Sequence, residues 1–127
     1  MPTASNATPQ EAQNIRSSYA NAISATTDAL TNFTTNSNPA VTPDPDDQAS
    51  YQAGALQAQR DLNLLTAQRD AFENDSDLGD IQAPSNTVTQ QIAALAATVS
   101  AAAAANTAVG DILSNLSQLL TLLNANT

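Results

Sequence analysis

The chain has 127 residues and a net charge of −9, with three basic residues, no histidine and no cysteine. This length suits a single helical domain, and so few basic side chains leave nothing to neutralise the phosphates of nucleic acid or of an anionic membrane surface. Aromatic residues make up 3% of the chain and alanine dominates its apolar residues, so we expect a thin core built by close approach of helices.

The first predicted helix spans about residues 9–35. It opens with a capping box in which Thr8 caps the helix, Pro9 takes the first helical position and Glu11 completes the box. Small and apolar residues recur at alternating steps of four and three, here called the four-three pattern, and this spacing predicts one buried helix face. The residues of this pattern are Ile15, Tyr19, Ala22, Thr26, Ala29 and Phe33.

The second predicted helix spans about residues 47–74 and follows a proline-rich linker over about residues 36–46. Asp46 or Asp47 is expected to cap it, because an acid is favourable at the positive end of the helix dipole. The four-three pattern continues along this helix and predicts a second buried face. Its residues are Tyr51, Ala55, Ala58, Leu62, Leu65, Arg69 and Phe72.

Arg69 is the one charged residue that falls on this pattern. Such an arginine either extends its charged head into solvent or sets the register by pairing with an acid of another helix. The tetrapeptide Ala-Gln-Arg-Asp occurs at residues 58–61 and again at 67–70. The offset between the two copies does not match the seven-residue period, which predicts that they lie on different faces of the helix.

The third predicted helix spans about residues 86–124 and follows a linker over about residues 75–85. Asp111 is the only charged residue after Asp80, so this helix lacks an ordinary solvated face. One polar residue, Asn106, interrupts its pattern, and it is either a register-setting asparagine or a tolerated surface amide. The pattern covers about five heptads. Its apolar and small members are Val88, Ile92, Leu95, Val99, Ala102, Val109, Leu113, Leu116, Leu120 and Leu123.

The third predicted helix is longer than the other two, at about 57 Å against about 40 Å for each of them. If it folds back along the second helix, its last turns extend beyond the bundle. The leucines there form a stripe too wide for one partner helix, so we predict that another subunit covers them. The predicted interface residues are Leu113, Leu116, Leu119, Leu120, Leu122 and Leu123.

The side chains available for chemistry argue against an enzyme. Without histidine, cysteine or lysine, only carboxylates and hydroxyls remain as acid, base or nucleophile, so we predict no catalytic residue, no cofactor and no metal site. The acidic segments 44–47 and 75–80 do offer oxygen ligands for calcium. The second segment has Gly79 one position early for an EF-hand loop and no closing glutamate, so a calcium-dependent extracellular module is only an alternative.

No membrane-spanning helix and no Sec-type signal peptide are predicted. The N-terminus lacks basic and apolar regions, and threonine, glutamine, serine and asparagine interrupt the uncharged run over residues 88–109. The composition, rich in alanine and polar residues and free of lysine, is similar to that of helical proteins exported without a cleaved signal, such as flagellin-type termini and secretion needles. This likeness favours an extracellular or virion location.

Together these patterns predict an all-α fold, a single domain over residues 1–127. Three helices follow an up-down-up order as coiled-coil-like hairpins, and the C-terminal helix is extended. The predicted function is that of a non-enzymatic structural subunit that assembles with itself, or with a helical partner protein, into a filament, tube, secreted appendage or virus particle. The alternative is an amphipathic coat or adaptor protein that binds an apolar particle surface or partner helices through residues 113–123.

Overall fold

Helices make up most of the described chain. The computed structural model describes residues 3–75, 83–105 and 108–124, and 81% of these residues are helical, with no strand among them. They form four helices that pack against one another, which confirms the all-α prediction. The helices are α1 (Pro9–Asn36), α2 (Pro45–Glu73), α3 (Asn86–Ala104) and α4 (Val109–Asn124).

Helix α1 forms as its sequence predicts. The Thr8 hydroxyl accepts a hydrogen bond from the Glu11 amide, and the Glu11 carboxylate accepts one from the Thr8 amide, so the capping box is complete. Every residue of its four-three pattern is buried. Helix α1 packs along both α2 and α3, and within the described chain the backbones of those two helices do not approach each other closely. The central helix therefore supplies one wall of the whole core.

Helix α2 begins two residues earlier than predicted. Asp44, rather than Asp46 or Asp47, is its N-cap and accepts a hydrogen bond from the Asp46 amide. The reason is Pro45, whose fixed φ suits the first helical position and moves the cap to the residue before it.

The prediction of one extended third helix over residues 86–124 is wrong. Helix α3 ends at Ala104, and a separate helix, α4, begins at Val109. Asparagine, threonine and glycine at 106, 107 and 110 are weaker helix formers than the alanines before them. When the chain folds back after α3, it buries four large side chains of α4 that a continuous helix would leave in water. Each burial stabilises the fold by about 1.5–3 kcal/mol. The four side chains are Ile112, Leu116, Leu119 and Leu123.

The break also rotates the buried face of α4. The four-three pattern places Leu113 and Leu120 on the apolar face, but both are only half-buried, while Ile112 and Leu119 are fully buried in their place. Helix α4 packs mainly on α3 and reaches α1 and α2 with fewer contacts. An open groove is left between α4 and α2.

Polar contacts tie α1 to its neighbours at both ends. Arg16 donates two hydrogen bonds to Glu73 at the end of α2, at 2.7 and 3.1 Å, and this pairing lowers the pKa of the glutamate. The Asn14 amide donates to the carbonyl of Pro84, just before α3, at 3.0 Å. Near the other end of α1, the Ser100 hydroxyl of α3 donates to Asp28 at 2.7 Å.

Alkaline unfolding is expected to follow the ionisation of Tyr19. This residue is 2% exposed and donates a hydrogen bond to Gln68, and burial raises its pKa from 10.0 to about 12. Because the unfolded chain ionises first, the contribution of Tyr19 to stability is intact below pH 10 and is lost as the pH rises towards 12. In a Tyr51→Phe background, phenolate absorbance is expected to rise near pH 12 together with loss of circular dichroism. A Tyr19→Phe variant should keep its helix to higher pH; equal sensitivity in that variant would contradict the assignment.

Candidate interaction surface

The six leucines of the predicted interface divide into two groups. Leu116, Leu119 and Leu123 are at most 3% exposed and belong to the core of their own chain. The other three, Leu113, Leu120 and Leu122, are half-buried and pack at the edge of that core. Contact with another subunit remains a prediction, and the second group offers the surface for it.

An open groove lies between α2 and α4, here called the α2–α4 groove. It has a volume of about 340 Å³, and Leu113, Leu116 and Leu120 form its apolar lining. Gln57 and Asp61 of α2 line the same groove. The Gln57 side chain donates a hydrogen bond to the Asp61 carboxylate at 3.1 Å. Burial in the groove raises the pKa of Asp61, while the hydrogen bond from Gln57 and the nearby charge of Arg60 act in the opposite direction.

Two exposed leucines lie on α2, the helix that forms one wall of this groove. Leu56 is 62% exposed and Leu64 is 51% exposed, and Arg60 lies one turn from each of them. The sequence prediction missed all three because it followed the four-three pattern of core residues. The signal that could have identified them is a pair of leucines outside that pattern on a helix otherwise rich in polar residues.

The repeated tetrapeptide has two different environments. Arg69 contacts Asp70, its neighbour in sequence, at 3.2 Å, and both side chains are largely exposed. Arg69 therefore extends into solvent. In the first copy, Asp61 faces the α2–α4 groove, and Arg60 forms no ion pair within the described chain. Asn106, the other predicted register residue, lies outside the described residues.

Two of the acidic residues considered for calcium, Asp44 and Asp75, accept hydrogen bonds from backbone amides of the described chain. Asp75 accepts hydrogen bonds from the amide and hydroxyl of Ser5, and these bonds lower the pKa of its carboxyl group. Asp77 and Asp80 fall outside the described residues. In the part of the chain that is described, no group of three acidic side chains is placed to hold a metal ion.

A second groove, of about 580 Å³, lies between α1 and α3 and is lined by Asp28, Asn32, Ser100 and other small or polar residues. Asp28 and Ser100 bond to each other, and the Asn32 amide donates to the carbonyl of Ala103. These side chains hold the two helices together.

None of the described helices is both long enough and apolar enough to cross a membrane. No family model matches this chain, and no curated protein and no solved structure matches it.

Proposed function

We propose that the chain is a non-enzymatic structural subunit that forms homo-oligomers through helix packing, as a component of a filament, tube, secreted appendage or virus particle. The observation that carries this proposal is the apolar surface on and beside the α2–α4 groove. Leu56 and Leu64 are more than half exposed on α2, and Leu113 and Leu120 are half-buried within the groove. Single exposed leucines are common on monomers, whereas a leucine-lined groove together with two exposed leucines on one of its helices is typical of a surface that another helix covers.

The distribution of charge supports the same proposal. Helix α3 contains no charged residue, and Asp111 is the only one in α4. The net charge of −9 therefore lies mainly on the rest of the chain. Copies can pack with α3 and α4 near the contact without bringing many carboxylates together, which limits the electrostatic repulsion between acidic subunits.

We also propose that the helices alternate in direction, as in an up-down bundle. Two contacts support this order. Arg16 near the start of α1 pairs with Glu73 at the end of α2, and Phe33 near the end of α1 contacts Tyr51 near the start of α2, with 6.4 Å between ring centroids. A bundle of this kind presents α2 and α4 side by side along one surface.

Association should be measured by sedimentation velocity over a range of protein concentrations, with electron microscopy of any material that sediments. We expect the average mass of the wild type to rise with concentration. Replacing both Leu113 and Leu120 with serine should shift this rise to higher concentration while the helix content is retained, because both side chains are only half-buried.

A Val41→Ser variant is the matched control, since Val41 is 52% exposed but lies in the connection before α2, outside the groove. It should associate like the wild type. A wild type that stays monomeric at every concentration would contradict the proposal. Binding to apolar particles by such a monomer would instead support a coat or adaptor function.

A further inference from the structure

We infer that α2 packs beside α2 of a second copy of this chain, with the two helices running in the same direction about a two-fold axis parallel to them. In this contact Arg60 of each copy reaches Asp61 in the α2–α4 groove of the other. The inference rests on the proposed function and identifies the contact through which copies pair.

The two walls of the α2–α4 groove are parallel and in register. A Cβ atom on Gly54, in the first half of α2, would lie 3.1 Å from Val109 at the start of α4. Seven residues further along each helix, Asp61 and Leu116 line the same groove. Helices α2 and α4 therefore run in the same direction, and the level of each α4 leucine can be compared with that of residues on α2.

Arg60 and Asp61 lie on opposite flanks of one strip along α2. At about 100° per residue, Leu64 and Gln57 fall between them around the helix axis, roughly 40° and 60° from Arg60. Asp61 and Gln57 are on the flank that lines the α2–α4 groove. Arg60 and Leu56 are exposed on the other flank. The strip thus has an acidic flank beside the groove and a basic flank away from it.

A two-fold axis parallel to the helices exchanges these flanks. Rotation about such an axis keeps every residue at its own level and moves it to the other side of the contact, so the Arg60 flank of one copy faces the Asp61 flank of the other. Two ion pairs form at once, because Arg60 and Asp61 are only about 1.5 Å apart along the axis. Parallel coiled coils pair their flanking charges in the same way. An antiparallel two-fold contact would instead bring the two Arg60 side chains together.

The exposed leucines fit the same arrangement. Leu64 lies near the centre of the strip, so the two copies of this side chain meet close to the axis. Leu56 is on the Arg60 flank, which faces the groove of the other copy, and its level is within about 3 Å of that of Leu113. Each copy can therefore cover half-buried leucines of the other copy's groove with an exposed leucine of its own.

The arginines favour a second copy as the partner. Arg16 and Arg69 already have acidic partners in Glu73 and Asp70, whereas Arg60 has no ion pair within the described chain. Pairing Arg60 with Asp61 of a second copy brings a cation to each groove carboxylate, where two chains of charge −9 would otherwise repel each other.

One pair of like charges lies near the strip, at the first turn of α2, where the two copies of Asp46 approach each other. A crossing angle of about 20° moves the helix ends apart and lessens this repulsion. The contact is then limited to the middle turns of α2 and the groove beside them, so we expect a weak dimer that depends on protein concentration. A two-fold contact closes at two copies, and a filament needs a second contact elsewhere on the chain.

Cysteine cross-linking tests the direction of the helices, since the chain has no cysteine of its own. Under mild oxidation, at concentrations where the wild type associates, Leu64→Cys alone should form a disulfide-linked dimer. Leu56→Cys is the matched control and should remain monomeric on a non-reducing gel. An equimolar mixture of the two variants should give no more of the mixed disulfide than of the Leu64→Cys dimer. A mixed disulfide as the main product would indicate antiparallel helices and overturn the inference.

Charge reversal tests the ion pairs. We expect Arg60→Asp and Asp61→Arg each to weaken the dimer by at least about tenfold, because each places like charges opposite one another. This should hold for Asp61→Arg even though it lowers the net negative charge. The double variant R60D/D61R should dimerise like the wild type. An equimolar mixture of the two single variants, one isotopically labelled, should give a 1:1 heterodimer in native mass spectrometry.

The matched control reverses the second copy of the tetrapeptide, as R69D/D70R and as Arg69→Asp alone. These variants make the same charge changes on the same helix and should dimerise like the wild type. Circular dichroism checks the helix content throughout; if a single variant loses its helices, recovery in the double variant R60D/D61R decides the question.

The possible outcomes separate the two proposals. A wild type that associates while the single reversals have no effect would overturn this contact and leave the proposed function standing. Failure of both the double variant and the mixture to recover dimers would do the same. A wild type that is monomeric at every concentration would overturn both.

Discussion

Replacing Leu116 with aspartate is expected to unfold the chain. Leu116 is 1% exposed and lies in the core that α4 completes. The substitution removes about 1.5–3 kcal/mol of burial and places a carboxylate in the core, which costs several kcal/mol more. Small domains are stable by only about 5–15 kcal/mol, and a core rich in alanine should lie at the low end of that range. Far-UV circular dichroism should show loss of most of the helix at 25 °C.

Leu116→Ala and Leu120→Asp are the matched controls. The alanine variant should remain folded but lose about 2–5 kcal/mol in the free energy of unfolding. Leu120 is half-buried at the groove, so its aspartate can reach water and the variant should stay helical. The extended third helix predicted from the sequence leads to the opposite expectation, because Leu116 would then project beyond the bundle. A Leu116→Asp variant that melts like the wild type would show that α4 does not complete the core.

Helix α1 could be predicted from sequence because its signals are local. The capping box, the first-turn proline and the four-three pattern all lie within the helix itself, and each agrees with the others. The start of α2 was predicted less well because both Asp44 and the acids after Pro45 are good capping residues. The proline decides between them, and its preference for the first helical position is also a local signal.

The division between α3 and α4 could not be predicted in the same way. The four-three pattern continues through residue 106, and no proline interrupts it. The helix divides only if burying Ile112 and Leu119 against the bundle contributes more free energy than the lost helical hydrogen bonds cost. That balance depends on where α1 and α2 end and on the space beside α3. A local pattern carries no information about either.

The candidate interaction surface depends on the same non-local packing. The tetrapeptide repeat places Arg60 and Arg69 in identical local sequences, and the different faces of the two copies were predicted from their spacing. Which copy would lie beside a groove could not be predicted, because α4 forms the other wall of that groove. Leu56 and Leu64 form part of an interaction surface only when α4 supplies that wall.

Enlarging Gly54 is expected to destabilise the chain. A Cβ atom there would lie 3.1 Å from the Phe33 ring and 3.1 Å from a methyl group of Val109, closer than ordinary van der Waals contact. The ring of Phe33 is fully buried and packs on Tyr51 on another side, so it has little room to move. Gly54 thus allows α2 to approach α1 and the first turn of α4 at the same point.

We expect Gly54→Leu to lower the free energy of unfolding by about 1–3 kcal/mol or more, even though leucine favours a helix over glycine by close to 1 kcal/mol. Gly110→Ala is the matched control, since a Cβ there would meet nothing within 4 Å. That variant should be at least as stable as the wild type, because alanine favours a helix over glycine. Urea unfolding followed by circular dichroism measures both. If Gly54→Leu were as stable as Gly110→Ala, the close approach of α1, α2 and α4 at Gly54 would be wrong, and the α2–α4 groove would have to lie elsewhere.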